Sequence, residues 1–216
     1  MATKFTNNSE RIIVSKACIA EGLNWLAQKE GKFSDAITLV GPIPIRLRED
    51  GFSRLFGAIV SQQLSVASAK AIWGRLEIAG MISAEAIEKA PDEDLRSCGL
   101  SRQKIRYVRA LCAANVDYLA LREASTEEVL ETLVKISGIG VWTAEIYIMF
   151  SLGRADVFAP GDLALQEAAK ILFNLEQRPT EKQLRIMAKK WSPWRAVAAR
   201  LLWAYYKQVK CREGIR

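Results

Sequence analysis

The sequence of 216 residues contains no histidine. Histidine is the side chain whose ordinary pKa allows proton transfer near neutral pH, and it is the commonest metal ligand in proteins. Its absence excludes catalytic triads that use imidazole, metal sites built on histidine and imidazole acid–base chemistry. Any catalysis by this chain therefore depends on carboxylates, lysine, tyrosine, serine or a bound cofactor.

Cysteine is scarce, and the spacing of the cysteines does not fit a metal site. The four cysteines are Cys18, Cys98, Cys112 and Cys211. No two of them are close enough to form a CxxC motif, so the spacing argues against zinc ribbons and iron–sulfur clusters. In a reducing compartment such scattered cysteines are most simply free thiols.

Long apolar runs are missing as well. The most apolar segment, residues 141–152, is shorter than the roughly 18 residues of a membrane-spanning helix and contains Thr143 and Glu145. The first ten residues, MATKFTNNSE, lack the charged-then-apolar pattern of a signal peptide. We therefore expect a cytoplasmic protein with no membrane partner, associated with the nucleoid if the source is bacterial.

Acidic residues are outnumbered by basic ones. The chain has 31 lysines and arginines against 24 aspartates and glutamates, which gives a net charge of +7. A basic excess of this kind fits a polyanionic partner, most often nucleic acid. Many basic proteins bind no polyanion, so the charge alone leaves the partner open.

Helical periodicity dominates from about residue 50, where apolar residues recur with the spacing of one helix face. Its first stripe consists of Phe52, Leu55, Phe56, Ile59 and Val60. Before that point we expect one helix over residues 11–28 and extended chain over residues 39–47. Residues 157–159 are strand-like but too short to build a sheet. The pattern predicts an all-α fold.

The sequence Gly138-Ile139-Gly140 lies between two apolar helical segments and has the form of a helix-hairpin-helix motif. Two glycines permit a tight turn with unusual dihedral angles. The turn leaves backbone amides at a helix N-terminus, where a phosphate can bind without any side chain. A plain helix–helix turn has the same local sequence and stays open as the alternative.

About twenty residues later, a loop containing Pro160 and Gly161 leads to Asp162, which opens another predicted helix. The helix dipole and the free amides of the first turn stabilise an ionised carboxylate at that position. Such a carboxylate can stabilise a developing positive charge or orient a water molecule. An ordinary N-cap aspartate would look the same in the sequence.

These features resemble the alkylated-base branch of the helix-hairpin-helix glycosylases, the DNA-3-methyladenine glycosylase II family. The resemblance covers about residues 50–206 in family order and is carried by GFSRLFGAIVSQQLSVASAKAIWGRL, CGLSRQKIRYVRALCAA, LVKISGIGVWTAEIYIMFSLGRADVFAPGDLALQ and WSPWRAVAARLLWAYY. Larger bacterial members carry an extra N-terminal domain. Residues 1–50 are too few to hold one, so the chain resembles the compact form.

The resemblance implies a role for several residues. Asp162 matches the catalytic carboxylate, and Gly138, Ile139 and Gly140 match the phosphate anchor. Two aromatic residues, Trp142 and Trp203, match positions that line the base pocket. The loop of Gln62, Gln63 and Leu64 matches the segment that enters the minor groove. The backbone carbonyls of Val134, Ile136 and Ile139 match those that bind a structural Na⁺ or K⁺. No other cofactor is implied.

Four departures from relatives refine this interpretation. Relatives that cleave the DNA strand place a lysine where this chain has Trp142, so lyase chemistry is not expected. Of the C-terminal cysteine cluster found in iron–sulfur relatives, only Cys211 is present. Gly161 stands where many alkylated-base members have an acidic residue. The position of the apolar wedge aligns with Gln63, with Leu64 beside it, so the sequence leaves the wedge residue open.

The resemblance predicts two helical lobes with an active-site cleft between them, one over residues 51–150 and one combining residues 1–50 with 151–216. It predicts a monomeric, monofunctional glycosylase that removes alkylated purines, of the 3-methyladenine or 7-methylguanine type, from double-stranded DNA in base excision repair. Two alternatives stay open from the sequence. One is a bifunctional glycosylase and lyase that acts on oxidised bases, and the other is a non-enzymatic helix-hairpin-helix DNA-binding module.

Overall fold

The computed structural model describes Lys4–Phe5 and residues 10–210, so Cys211 lies outside the described part of the chain. The protein is all-α, as predicted, apart from one minimal antiparallel pair of two-residue strands near the N-terminus. These are β1 (Lys4–Phe5) and β2 (Arg11–Ile12). None of the helices in the described residues has the length and apolar character needed to span a bilayer.

The chain divides into two compact units, with boundaries after Arg48 and before Ile148. The unit that contains the residues between these boundaries is called the hairpin unit here. Its helices are α3 (Phe52–Ser61), α4 (Val66–Ile78), α5 (Ala84–Lys89), α6 (Asp92–Ser97), α7 (Arg102–Ala113), α8 (Tyr118–Glu123), α9 (Thr126–Val134) and most of α10 (Val141–Phe150).

The other unit, called the Asp162 unit here, contains the described residues through Arg48 and from Ile148 onward. Its further helices are α1 (Lys16–Lys29), α2 (Gly31–Val40), α11 (Leu163–Leu172), α12 (Glu181–Ala188) and α13 (Arg195–Lys210). Helix α13 packs against α11, α2 and α1 and forms the centre of this unit.

Local capping sets most helix starts in the hairpin unit. The Ser101 hydroxyl accepts the Lys104 N–H at the start of α7. At the start of α9, Ser125 and Glu128 form the reciprocal capping box that their spacing predicts. Helix α7 then packs against α3, α5 and α6. Its buried face includes Val108, which is fully inaccessible.

Aromatic side chains fill much of the core of the Asp162 unit. Trp191 lies against Phe33, Phe158 and Phe173, with ring centroids 5.3 to 5.8 Å apart. Trp194 is also buried. Both tryptophans therefore contribute to core packing.

The N-terminal helix begins later than predicted. Residues 11–28 were expected to be one helix, but α1 starts at Lys16 because Ser15 caps it by accepting the Cys18 N–H at 3.4 Å. Arg11–Ile12 instead pairs with Lys4–Phe5.

One further expectation about local structure is wrong in part. Residues 39–40 belong to the end of α2 rather than to extended chain, whereas residues 157–159, expected to be too short for a sheet, form no strand. Helix α2 was not foreseen. It is held by burial of Phe33 and Ala36 and by packing against α1 and α13, which no local sequence signal reveals.

Candidate functional site

Asp162 caps the N-terminus of α11. Its backbone is extended, and its Oδ1 accepts the N–H groups of Ala164 at 3.0 Å and Leu165 at 3.1 Å. The residue is 7% exposed. The carboxylate therefore lies at the positive end of the α11 dipole, where a negative charge is stabilised.

Trp203, near the middle of α13, reaches the same carboxylate. Its indole Nε1–H donates to Asp162 Oδ1 at 3.0 Å. Three N–H donors thus converge on Oδ1 and fix the direction in which Oδ2 points. The indole of Trp203 is 1% exposed and lies against the ring of Phe150, so it offers a base almost no open surface. Its role in a base pocket stays a prediction, whereas its contact with Asp162 is a feature of the structure.

The loop before Asp162 is held by hydrogen bonds, one of which comes from a side chain of α11. The Asp162 N–H donates to the Ala159 carbonyl at 3.0 Å, and the buried Gln166 side chain donates from Nε2 to the Pro160 carbonyl at 2.8 Å. A Cβ added at Gly161 would lie 3.4 Å from the Glu181 carboxylate. These bonds hold the loop in place although its central residue is glycine.

Two residues of this region were not foreseen. Gln166 holds the loop, and its signal in the sequence is a polar side chain within the apolar face of α11, four residues after Asp162. Leu163 directly follows the carboxylate and is 61% exposed. An exposed leucine in the first turn of a helix carries no sequence signal that separates it from an ordinary surface residue.

The hairpin lies in the other unit, between α9 and α10. Gly138 has φ +95°, and a Cβ there would fall 2.6 Å from Tyr107 Cβ, so only glycine fits. Gly140 differs from our expectation, since its φ is outside the left-handed region and an added Cβ would have open space. The Gly140 carbonyl accepts the Ala144 N–H at 3.0 Å. The amides of the following first turn can therefore face a phosphate, because such amides have no intrahelical acceptor.

The loop after α3 is joined to this turn. Gln62 donates from Nε2 to the Gly138 carbonyl at 2.8 Å, so its side chain braces the hairpin. Gln63 is exposed and has φ +56°, and Leu64 is 39% exposed. The structure therefore leaves both Gln63 and Leu64 accessible to DNA, while the Gln62 amide is already engaged.

Trp142 is the second residue of α10 and therefore belongs to the helix turn that follows the hairpin. It is 38% exposed, in contrast to Trp203. Its place in a base pocket stays a prediction.

Three backbone carbonyls were expected to hold a monovalent cation. Val134 is the last residue of α9, so its carbonyl is one of the terminal groups that the helix leaves without an internal partner. The Ile136 carbonyl accepts the Ile139 N–H at 3.0 Å, which uses one of its two lone pairs. Neutral carbonyl oxygens at or just after a helix C-terminus suit a cation, so Val134 and Ile136 are compatible with this group, and the cation site stays a prediction.

Two tyrosines of the hairpin unit have side-chain pKa values above the ordinary value. Burial raises the pKa of the Tyr147 hydroxyl to about 12, and it raises the pKa of Tyr118 as well. The Tyr147 oxygen accepts the Gly51 N–H at 3.3 Å. Within the described residues, acidic and cysteine side chains form no group of three or more suited to a metal ion.

The chain is similar in sequence to known proteins of one family. Residues 56–193 match the model of a family described as HhH-GPD superfamily base excision DNA repair protein. DNA-3-methyladenine glycosylase 1 of Schizosaccharomyces pombe is 30% identical over 178 residues, which cover 78% of each chain.

Solved structures share the fold along almost the whole chain. A DNA-3-methyladenine glycosidase from Bacillus halodurans has a TM-score of 0.79 at 33% identity, covering 90% of this chain and 92% of the other. The Schizosaccharomyces pombe 3-methyladenine DNA glycosylase Mag1, in complex with abasic DNA, has a TM-score of 0.75 at 28% identity, covering 91% of this chain and all of the other.

Proposed function

Because this chain belongs to the HhH-GPD superfamily of base excision DNA repair proteins and is a DNA glycosylase, we propose that it hydrolyses the N-glycosidic bond of alkylated purines in duplex DNA. Its substrates are of the 3-methyladenine and 7-methylguanine type, and it acts as a monomer without lyase activity. The observation that carries the proposal is the convergence of three N–H donors on Asp162 Oδ1.

Asp162 acts on the sugar. When the bond between C1′ and the base nitrogen breaks, its electron pair leaves with the base and positive charge develops on the sugar ring. The carboxylate stabilises this charge and accepts a proton from the water that adds at C1′, as carboxylates do in glycoside hydrolysis. The products are the free base and an abasic site.

The base itself needs little help to leave. Alkylation at N3 or N7 gives the purine a positive charge, so the departing base is neutral and no side chain has to protonate it. The Trp142 indole attracts such a base more than a neutral one through the cation–π interaction. This preference selects damaged purines over normal ones.

The hairpin and the adjacent loop bind the DNA. Amides at the start of α10 hold a backbone phosphate, and either Gln63 or Leu64 enters the minor groove where the damaged nucleotide leaves the stack. Glycosylases flip their target nucleotide because the glycosidic bond cannot be reached within the duplex. The carbonyls of Val134, Ile136 and Ile139 would hold Na⁺ or K⁺, which adds positive charge near the phosphate.

The proposal is tested by incubating the full chain with methylated duplex DNA and separating the released bases by chromatography. We expect free 3-methyladenine or 7-methylguanine and an intact strand that breaks only after alkali treatment. Borohydride should trap no covalent adduct between protein and DNA. DNA binding without base release would favour a non-enzymatic binding module, and a trapped adduct would favour a bifunctional lyase.

A further inference from the structure

Two parts of the hairpin unit contact DNA in the proposed function. One is the turn at Gly138, and the other is the connection between α3 and α4. We call residues 62–64 of this connection the wedge loop. Side chains from the first half of α7 contact both the turn and the end of α3, just before the wedge loop.

The ammonium group of Lys104 holds the C-terminus of α3. Its Nζ donates to the Val60 carbonyl at 2.6 Å, although the two residues are 44 positions apart in the sequence. Val60 is the second-last residue of α3, so its carbonyl is one of the terminal groups that the helix leaves without an internal partner. The positive charge of Lys104 is also favourable at the negative end of the helix dipole. Burial lowers the pKa of Lys104, which shows that the ammonium is partly withdrawn from water.

One turn further along α7, Tyr107 lies directly against the hairpin. Its Cβ is 2.6 Å from the position where Gly138 would carry a side chain. The Tyr107 hydroxyl accepts a hydrogen bond from Gln103 Nε2 at 2.6 Å, which fixes the orientation of the ring. Because Lys104 and Tyr107 are three residues apart, they lie on the same face of α7. One helix face therefore contacts both the end of α3 and the phosphate anchor.

The side chain of Gln62 joins the two DNA-binding parts directly. Its Nε2 donates to the Gly138 carbonyl at 2.8 Å. The contacts thus form a closed ring, from α7 through Lys104 to the end of α3, through Gln62 to the hairpin, and back to α7 through Tyr107. A closed ring of contacts fixes the distance between the wedge loop and the phosphate anchor.

The tip of the wedge loop is exposed, and its backbone is strained. Gln63 has φ +56°, a left-handed conformation that residues with side chains rarely adopt unless their surroundings impose it. After the tip, Ser65 caps α4 by accepting the Ser68 N–H at 3.1 Å. Hydrogen bonds therefore fix the chain on both sides of the exposed residues Gln63 and Leu64.

We propose that Lys104 is a positioning residue, which holds the wedge loop at the distance from the hairpin that lets the loop enter the duplex while the hairpin binds its phosphate. The inference rests on the proposed function, since it takes both parts as DNA contacts. Lys104 acts through the Val60 carbonyl rather than on the DNA. A loop that is already ordered loses less conformational entropy when it inserts, so more of the binding energy remains for unstacking the bases.

The test measures insertion of the wedge loop without excision. The full chain binds a duplex in which 2-aminopurine lies beside a tetrahydrofuran abasic analogue, and the fluorescence of 2-aminopurine rises when it is unstacked. Lys104→Met removes the hydrogen-bond donor but keeps a long side chain. At saturating protein its fluorescence rise should be roughly half that of wild type or less, and single-turnover excision of methylated bases should be roughly 10-fold slower. Lys104→Arg, which keeps a charged donor, should restore most of both signals.

Lys89→Met is the matched control. Lys89 is an exposed lysine of the same unit that pairs with Glu85 within α5, so this variant removes an equal charge at a different place. It should keep the fluorescence rise of wild type, and both methionine variants should have the same slope of log affinity against log salt. A slope smaller by about 0.9 in Lys104→Met than in the control would mean that Lys104 contacts a phosphate itself, which would overturn the positioning role.

Melting temperatures confirm that the variants are folded. Lys104→Gln is a second variant, which leaves a polar side chain at this position but carries its donor one bond closer to the backbone, and it should lose fluorescence as Lys104→Met does. A full fluorescence rise in both folded variants would overturn the positioning role even though wild type releases 3-methyladenine. Absence of base release by wild type would instead overturn the proposed function, whatever the fluorescence of the variants.

Discussion

The indole N–H of Trp203 donates to Asp162 Oδ1 at 3.0 Å across 41 positions in the sequence. This bond links the middle of α13 to the first residue before α11, two helices that pack against each other. It makes Trp203 a positioning residue for the carboxylate. A hydrogen bond to a charged group is worth about 1.5–3 kcal/mol, so its loss should be measurable.

If most of this hydrogen-bond energy stabilises the transition state, Trp203→Phe should slow excision roughly 10- to 100-fold. The control is Trp194→Phe, which makes the same change at another buried tryptophan of the unit. Both variants should have a lower melting temperature than wild type, but only Trp203→Phe should also have a lower excision rate. Equal single-turnover rates in the two variants would mean that Trp203 serves packing alone.

The two hairpin glycines should respond differently to alanine. Gly138→Ala adds a Cβ against Tyr107 at φ +95° and is expected to cost at least about 2 kcal/mol of unfolding free energy. Gly140→Ala meets nothing within 4 Å, so the protein should remain as stable as wild type while a methyl group crowds the phosphate. Chemical denaturation and DNA affinity measure the two effects. Unchanged DNA binding by a folded Gly140→Ala would contradict the assignment of the anchor.

Trp142→Phe tests the selection of charged bases. Phenylalanine keeps most of the apolar volume but weakens the cation–π interaction, which is worth about 0.5–2 kcal/mol. Excision of 3-methyladenine or 7-methylguanine should fall roughly 2- to 30-fold more than excision of neutral hypoxanthine. Trp73→Phe in the same unit controls for stability. If the excision rates of charged and neutral bases fell equally, in step with the melting temperature, the role of Trp142 would be packing alone.

DNA binding by the wild type should depend strongly on salt and weakly on base sequence. The hairpin amides and the basic residues contact phosphates rather than base edges. A titration should give a linear relation between log affinity and log salt, and its slope reports the number of phosphates contacted. Affinity that varied with base sequence but not with salt would contradict this mode of binding.

Much of the site was predictable because it depends on local rules. The N-cap position of Asp162, the capping box at Ser125 and the turn at Gly138 follow from short-range hydrogen bonding and backbone sterics, and the sequence displays them directly. The all-α fold follows from helical periodicity over most of the chain.

The unforeseen features depend on contacts between distant segments. Helix α2 is stabilised by packing against α1 and α13, and the bond from Trp203 to Asp162 joins two helices. The hydrogen bond from the Gln62 side chain to the Gly138 carbonyl joins residues that are 76 positions apart in the sequence. No periodicity or motif encodes which distant groups meet, so such contacts become visible only when the chain is folded.

The most direct measurement of the central claim is single-turnover base excision by Asp162→Asn. The amide preserves the cap of α11 and the acceptor for Trp203, so folding and DNA binding should match wild type. Loss of the charge should lower the excision rate on the order of 10²–10³-fold, equivalent to about 3–4 kcal/mol of transition-state stabilisation. A folded Asp162→Asn protein that excises 3-methyladenine within roughly threefold of wild type would show that the catalytic carboxylate lies elsewhere.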